Sequence, residues 1–179
     1  MGGLIDLQGA TKKMVLDVGC GRNKKIGAVG VDIAKLPCVD VVHDLNVFPW
    51  PFKDSLFDEI YMFDSIEHLY DTTKVMEECH RLLKAGGMLY IRTCYWNNKH
   101  AFSDPTHVAF FTEVTWDFFT GVRNQHYSNA LFRMEKMEYT YDYGLKFVLR
   151  SDWILNKLSK WFCNVKTGMR VTLIKEGIV

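Results

Sequence analysis

The sequence predicts an α/β fold: buried parallel strands with a ligand site at their carboxyl ends. Three observations carry this. An apolar run at residues 14–18 holds Asp17 near its end and breaks into Gly19 and Gly21. A second run, Ala28-Val29-Gly30-Val31, ends in Asp32. Further apolar runs follow, with a helical pattern between the fourth and fifth. Glycine has no Cβ, so the chain turns sharply and a ligand can lie against bare backbone. A carboxylate after the second run suits the two hydroxyls of a ribose. The direct reading is a nucleoside lying across the ends of two parallel strands.

The elements follow in order. Residues 1–13 read as a loose leader. Strands are expected at 14–19, 28–33 and 39–43. Only Arg22 to Gly27 connects the first pair, too short for a crossover helix, and Asn23 tolerates the left-handed backbone that a third glycine would otherwise supply. Phe48-Pro49-Trp50-Pro51-Phe52 is a stiff aromatic link, because each proline fixes φ. A fourth strand is expected at 57–63. A helix at 71–84 has Asp71 as N-cap, Val75, Met76, Cys79, Leu82 and Leu83 on one face, Lys84 at the negative end of the dipole and Gly86 as C-terminal cap. A strand at 88–93 leads to a polar and aromatic connection over 96–110 that carries His100, Asp104 and His107. Long connections in compact domains are usually lids or binding loops. A short helix at 112–119, strand material at 131–150, an amphipathic helix at 151–162 and a last strand at 170–175 complete the chain.

Bulk properties narrow the class. A chain of 179 residues suits one domain with its own core. The net charge of +1 supplies no field that would draw nucleic acid, and the pairs Lys12-Lys13 and Lys24-Lys25 read as solvated surface. Five scattered cysteines without a C-x-x-C fit a reducing compartment and argue against disulfides and structural zinc. No signal-like segment or membrane-length apolar run is present, so a cytoplasmic location is expected.

The dinucleotide fingerprint G-x-G-x-x-G has Lys24 in place of its third glycine, and Asp32 arrives early. The chain instead resembles the class I S-adenosylmethionine (SAM) dependent methyltransferases. The resemblance rests on Val15-Leu16-Asp17-Val18-Gly19-Cys20-Gly21, Gly30-Val31-Asp32, Asp44-Leu45, Phe57-Asp58-Glu59-Ile60, Glu67-His68-Leu69 and Arg81-Leu82-Leu83-Lys84-Ala85-Gly86-Gly87, in the family's order. It covers about half the chain. It implies a Rossmann-like three-layer sandwich whose mostly parallel seven-stranded sheet has order 3-2-1-4-5-7-6, with strand 7 antiparallel. It also implies a single methyltransferase domain over 1–179, with about 96–130 as a substrate lid.

The resemblance assigns roles residue by residue. Asp17, Gly19 and Gly21, with Cys20 between the glycines, would line the methionine end of SAM. Asp32 would hold the ribose hydroxyls, with Ile33 beside it. Asp44 would accept from the adenine amino group, and Leu45 would offer its backbone N–H. Phe63 and Asp64 end the fourth strand, where the methyl group faces its acceptor. Methyl transfer draws its reactivity from the cofactor, and the protein aligns the acceptor. A hydroxyl acceptor must also lose a proton, for which His107, His68 and Asp104 are the candidates. Ser103-Asp104-Pro105-Thr106-His107 resembles a D-P-T-H lid of some members of the superfamily.

A metal set is a second reading of the same region. Asp64, Glu67 and His68, joined by His107 from the lid, resemble the E-x-x-E-H spacing of ubiquinone-biosynthesis and small-RNA 2′-O-methyltransferases. A metal is not the expectation, because Asp64 is shorter than the glutamate it replaces. A small-molecule or sugar hydroxyl is the expected acceptor, and a nucleic acid is not. Two other classes stay open: a catalytically silent SAM-binding subunit, and a Rossmann-like domain for another nucleotide such as NAD or a nucleotide sugar. The aromatic face of the 151–162 helix is expected to pack on the sheet or a homodimer partner rather than on lipid.

Overall fold

In the computed structural model, which describes residues 13–123 and 128–176, β1 (Val15–Val18), β2 (Val29–Asp32), β3 (Val41–Val42), β4 (Phe57–Phe63), β5 (Leu83–Cys94), β6 (Phe132–Tyr141) and β7 (Lys166–Lys175) form one sheet. Its order is β3-β2-β1-β4-β5-β7-β6. Strands β1 to β5 pair in parallel, and β7 runs antiparallel to both β5 and β6. The expected order and the reversed strand are both present. The leader, apart from Lys13, lies outside the described residues.

Register explains the core. Val18, Met62, Ile91 and Val171 lie abreast across four strands, as do Leu16, Ile60, Leu89 and Leu173, and all are buried. Side chains alternate along a strand, so these two rows share a face. Burying each such side chain stabilises the fold by roughly 1.5–3 kcal/mol. The intervening row on the other face carries Tyr61 stacked on Tyr90 at 4.6 Å between ring centres, with the Lys25 ammonium 4.0 Å from the Tyr61 centroid.

Helix α1 (Thr72–Leu82) begins where the Asp71 carboxylate accepts the Lys74 N–H at 3.0 Å, and it buries Val75, Met76, Cys79 and Leu82. Its buried Glu78 accepts the Trp50 N–H at 2.7 Å, while the Arg81 guanidinium donates to the carbonyls of Trp50 and Phe52. The aromatic link is thereby locked against the helix, with Trp50 and Phe52 fully buried.

Several elements differ from expectation for local reasons. Asn23 is not left-handed; Gly21 and Gly27 take the positive φ angles of that loop. Helix α1 ends at Leu82 because Leu83 already pairs with Phe57 in the sheet. Gly86, at φ +75°, therefore lies within β5 rather than capping the helix, and Lys84 pairs with Asp58. The 96–110 connection contains a short helix, α2 (Lys99–Ser103), and residues 113–119 form a 3-10 helix capped by Thr112. The 131–150 stretch is not all strand. Asp142 caps a helix, α3 (Tyr143–Leu149), by accepting the Leu145 N–H. The last strand starts at Lys166, four residues before the expected 170.

The 151–162 helix is shorter than its pattern suggested: α4 spans Asp152–Leu158 and buries only Leu155. Trp161 and Phe162 fall on the turn beyond it, so the expected aromatic face is not packed on the sheet, and Trp153 is 68% exposed and Trp161 84%. All five cysteines are free thiols. Among the described residues, no helix is long and apolar enough to cross a membrane.

Candidate functional site

The site forms where β1 and β4 end side by side. Gly19 turns at φ +67°, and a Cβ there would lie 2.5 Å from the Ser65 Cβ. The Ser65 hydroxyl donates to the Val18 carbonyl at 3.0 Å, and the Gly19 N–H donates to the Val31 carbonyl at 2.9 Å. Three strand ends are thus drawn together around a glycine.

A cleft of about 360 Å³ opens beside this junction, within the size range of small-molecule sites. Asp32 stands on one wall. Its two oxygens accept the N–H groups of Gly21 and Ala34, each at 2.8 Å, so the carboxylate is fixed in orientation. Each oxygen keeps a lone pair for a ligand hydroxyl. Beside it, Ile33 is 67% exposed and offers an apolar face, with Leu45 buried opposite. Asp44 accepts from the backbone and side-chain nitrogens of Asn46 through one oxygen, leaving the other as an acceptor. The Asn46 carbonyl oxygen takes the Tyr70 N–H at 3.0 Å and ties the cleft to the chain before α1. An acidic clamp, an apolar face and a second acceptor fit the ribose and adenine of a nucleoside cofactor.

Other expected cofactor residues lie around the cleft rather than in its lining. The Asp17 carboxylate accepts the Lys25 N–H at 2.7 Å and stiffens the loop after β1; burial raises its pKa. The Cys20 thiol packs against Gly30, where a Cβ would approach its sulfur to 2.8 Å, and burial pushes it up to about 11. Gly21 contributes its N–H to Asp32. The Phe63 ring sits between Tyr61 and the Arg92 guanidinium. Asn46, Ser65 and Leu69 line the cleft but were given no role in the sequence. Each lies in or beside a motif that could have flagged it: Asn46 follows Asp44-Leu45, Ser65 follows Asp64, and Leu69 closes Glu67-His68-Leu69.

At the far end of the cleft, His68 meets the chain after α2. The imidazoles of His68 and His107 lie 4.7 Å apart between centres, and Thr106 joins His68 to Asp104. The Thr106 hydroxyl donates to Asp104 at 2.6 Å and so accepts from His68 Nδ1, at 2.9 Å. The His107 Nδ1 lies 2.9 Å from the Ala101 carbonyl, which can only accept. In the neutral tautomer that these bonds select, each ring has its proton on Nδ1 and its lone pair on Nε2. Hydrogen bonds from the Thr106 hydroxyl and N–H, together with the imidazoles nearby, hold the Asp104 carboxyl below the usual range. The three candidate proton acceptors thus come together, while the exposed His100 on α2 is not among them. Two N–H groups, from Val108 and Ala109, donate to the Glu67 carbonyl at 2.8 and 3.1 Å and pin this segment down.

The metal set that the sequence offered as a second, unexpected reading is not assembled. Asp64, in the left-handed region at φ +52°, gives both carboxylate oxygens to Arg92. The Glu67 carboxyl is buried beside Thr93 without a hydrogen bond of good geometry, and burial pushes its pKa up. The donors that do converge, within 4.8 Å, are His68, Asp104 and His107, which could hold a divalent ion.

The fold is Rossmann-like, with a cleft at its strand ends. A methyltransferase-domain family model matches residues 16–91. A probable SAM-dependent methyltransferase of Mycolicibacterium smegmatis is 32% identical over 98 residues, 44% of this chain and 37% of that protein. A ubiquinone biosynthesis O-methyltransferase of Pseudomonas paraeruginosa is 28% identical over 112 residues, 51% of this chain and 48% of that protein. The chain thus aligns with less than half the length of these relatives. A SAM-dependent methyltransferase structure from Archaeoglobus fulgidus superposes with TM-score 0.66 at 20% identity, covering 91% of this chain and 86% of that one. A Burkholderia thailandensis 1,6-didemethyltoxoflavin-N1-methyltransferase, solved with S-adenosylhomocysteine, superposes with TM-score 0.60 at 14% identity, covering 92% and 72%. Residues 16–91 are thus similar to the methyltransferase domain of SAM-dependent methyltransferases.

Proposed function

We propose that this chain is a single-domain enzyme that transfers the methyl group of SAM to a hydroxyl of a small-molecule or sugar acceptor. One observation supports this above the others: His68 belongs both to the cleft and to the cluster with Asp104 and His107, and two bare Nε2 atoms are present there. The shared residue supports reading the cleft as a cofactor site that adjoins a proton-accepting site.

When bound, SAM supplies a methyl group already activated by its sulfonium leaving group. The protein's part is to hold, orient and deprotonate. Asp32, fixed in orientation by the N–H groups of Gly21 and Ala34, would hold the ribose hydroxyls. Asp44 would accept from the adenine amino group, with Ile33 and Leu45 offering apolar contacts. His107 takes the acceptor's proton at Nε2, while the Ala101 carbonyl stabilises the charged ring through Nδ1. His68 and Asp104 place a second base and a negative charge beside it. General-base help of this kind is worth about 10²–10⁴-fold. His107 belongs to the expected lid and lies beside His68, which lines the cleft.

The test is transfer of radiolabelled methyl from SAM to a panel of phenols, sugars and amines, by wild type and by His107→Ala. Labelled product from hydroxyl compounds, lost in the variant while cofactor binding persists, supports the proposal. Labelled amines without labelled hydroxyls, or a variant as active as wild type, contradicts it. A chain that binds SAM and methylates nothing would be a silent subunit.

A further inference from the structure

We propose that a second cavity, at the junction of β5, β6, β7 and the turn after α4, binds a small organic anion carrying a flat ring. The cavity measures about 680 Å³, larger than the cofactor cleft. It opens on the same edge of the sheet as that cleft. Strand β7 is antiparallel, so its first residue, Lys166, stands where β5 ends, and Tyr95 directly follows β5.

Lys166 is the reason for assigning an anion. Its side chain lines the cavity, yet the residue is only 5% exposed. The ammonium lies 3.5 Å from the Tyr139 ring centroid and 4.8 Å from that of Tyr95. Among the described residues, no carboxylate forms an ion pair with it. Glu113 shares the lining and accepts the Tyr95 hydroxyl at 2.6 Å; its charge acts on Lys166 through space and offsets that charge in part, without a direct ion pair. Two ring faces compensate only part of the cost of burying a cation. An incoming carboxylate, sulfonate or phosphate would complete the pairing. Lys160, also in the lining, adds a second positive charge.

The rings are the reason for assigning a flat body. Trp96, Trp161 and Phe162 rim the cavity and are 45%, 84% and 61% exposed. Exposed aromatic side chains around a cavity with a buried cation suit a ligand with an apolar plane and one charged end. This assignment does not depend on methyl transfer.

The test is fluorescence titration of the full chain with 1-anilinonaphthalene-8-sulfonate and with its uncharged analogue N-phenyl-1-naphthylamine. Wild type is expected to bind the sulfonate saturably and more tightly than the neutral dye. Lys166→Met, which keeps length but removes charge, is expected to weaken the sulfonate at least about tenfold and the neutral dye less than about twofold. Trp161→Ala alters an exposed side chain that the fold does not need, and it is expected to weaken both dyes. Equal affinity of wild type for the two dyes, or indifference of the sulfonate to Lys166→Met, leaves only an apolar patch and overturns the anion site. Dye binding unchanged by Trp161→Ala places the dye elsewhere and overturns the location. Because Trp161→Ala is read separately, a Lys166→Met chain that fails to fold still leaves the proposal open to refutation. S-adenosylhomocysteine affinity, measured on the same proteins, separates failure here from failure of the transferase reading.

Discussion

Gly19 and Ser65 approach so closely that a Cβ on the glycine would lie 2.5 Å from the Ser65 Cβ. This contact holds the ends of β1 and β4 together beside the candidate cofactor cleft, which both residues line. Gly19→Ala combines the clash with a left-handed backbone, and strains of this kind cost about 1–3 kcal/mol each. The melting temperature is expected to fall by at least about 3 °C, at roughly 2–4 °C per kcal/mol for a chain of this size. Adding Ser65→Gly relieves the clash but not the backbone strain, so part of the loss should return. Thermal melts of the two variants check this, and a double variant no better than the single would contradict it.

His107 meets the candidate cofactor cleft through His68, which lines it. His107→Ala is therefore expected to lower kcat by about 10²–10⁴-fold while S-adenosylhomocysteine affinity stays within about twofold. Thr106→Val removes the hydroxyl that orients His68 toward Asp104, and a smaller loss, about tenfold, is expected. Steady-state kinetics beside calorimetric binding separate the two effects. Equal losses in rate and cofactor affinity would make His107 a structural residue.

Glu67 carries a buried carboxyl without a good hydrogen bond, and burial raises its pKa above the ordinary 4.5. A raised carboxyl favours the protonated form. The folded state thus has its full stability below pH 4.5 and loses it as pH rises through the folded value. Glu67→Gln cannot ionise, so it should match wild type near pH 4.5 and melt higher at pH 8, by about 2–4 °C per kcal/mol relieved. Melting curves of both proteins across this range check the sign. A variant that melts lower at pH 8 would mean that the carboxylate is held by charge.

Much of the sheet was legible because its information is local. The β1 and β4 runs alternate or saturate with apolar residues, and Asp71 before Val75 and Met76 announces α1. Legibility failed where tertiary pairing overrides local signals. Gly86 looked like a helix cap, but sheet pairing of Leu83 with Phe57 ends α1 four residues earlier. The turn at Asp142 was hidden in a run of tyrosines, so α3 read as strand. The site divides in the same way. Asp32, Asp44 and the glycines follow short-range motifs, whereas the partners of Asp64 and Asp17 lie where spacing alone does not reach. Asp64 meets Arg92 across the sheet, and Asp17 meets a backbone N–H eight residues on. The lid cluster fell between these cases: its members were legible, but their tautomers came only from Thr106 and the Ala101 carbonyl.

The central claim is that the cleft beside Asp32 binds SAM. Calorimetric titration with S-adenosylhomocysteine, with NAD as the competing nucleotide, tests it most directly. One site per chain is expected, with NAD binding far more weakly. Asp32→Ala, which removes the carboxylate proposed to hold the ribose hydroxyls, should weaken binding by about 10–100-fold while the chain stays folded. Tighter binding of NAD, or an S-adenosylhomocysteine affinity unchanged by Asp32→Ala, would contradict the assignment of this cleft.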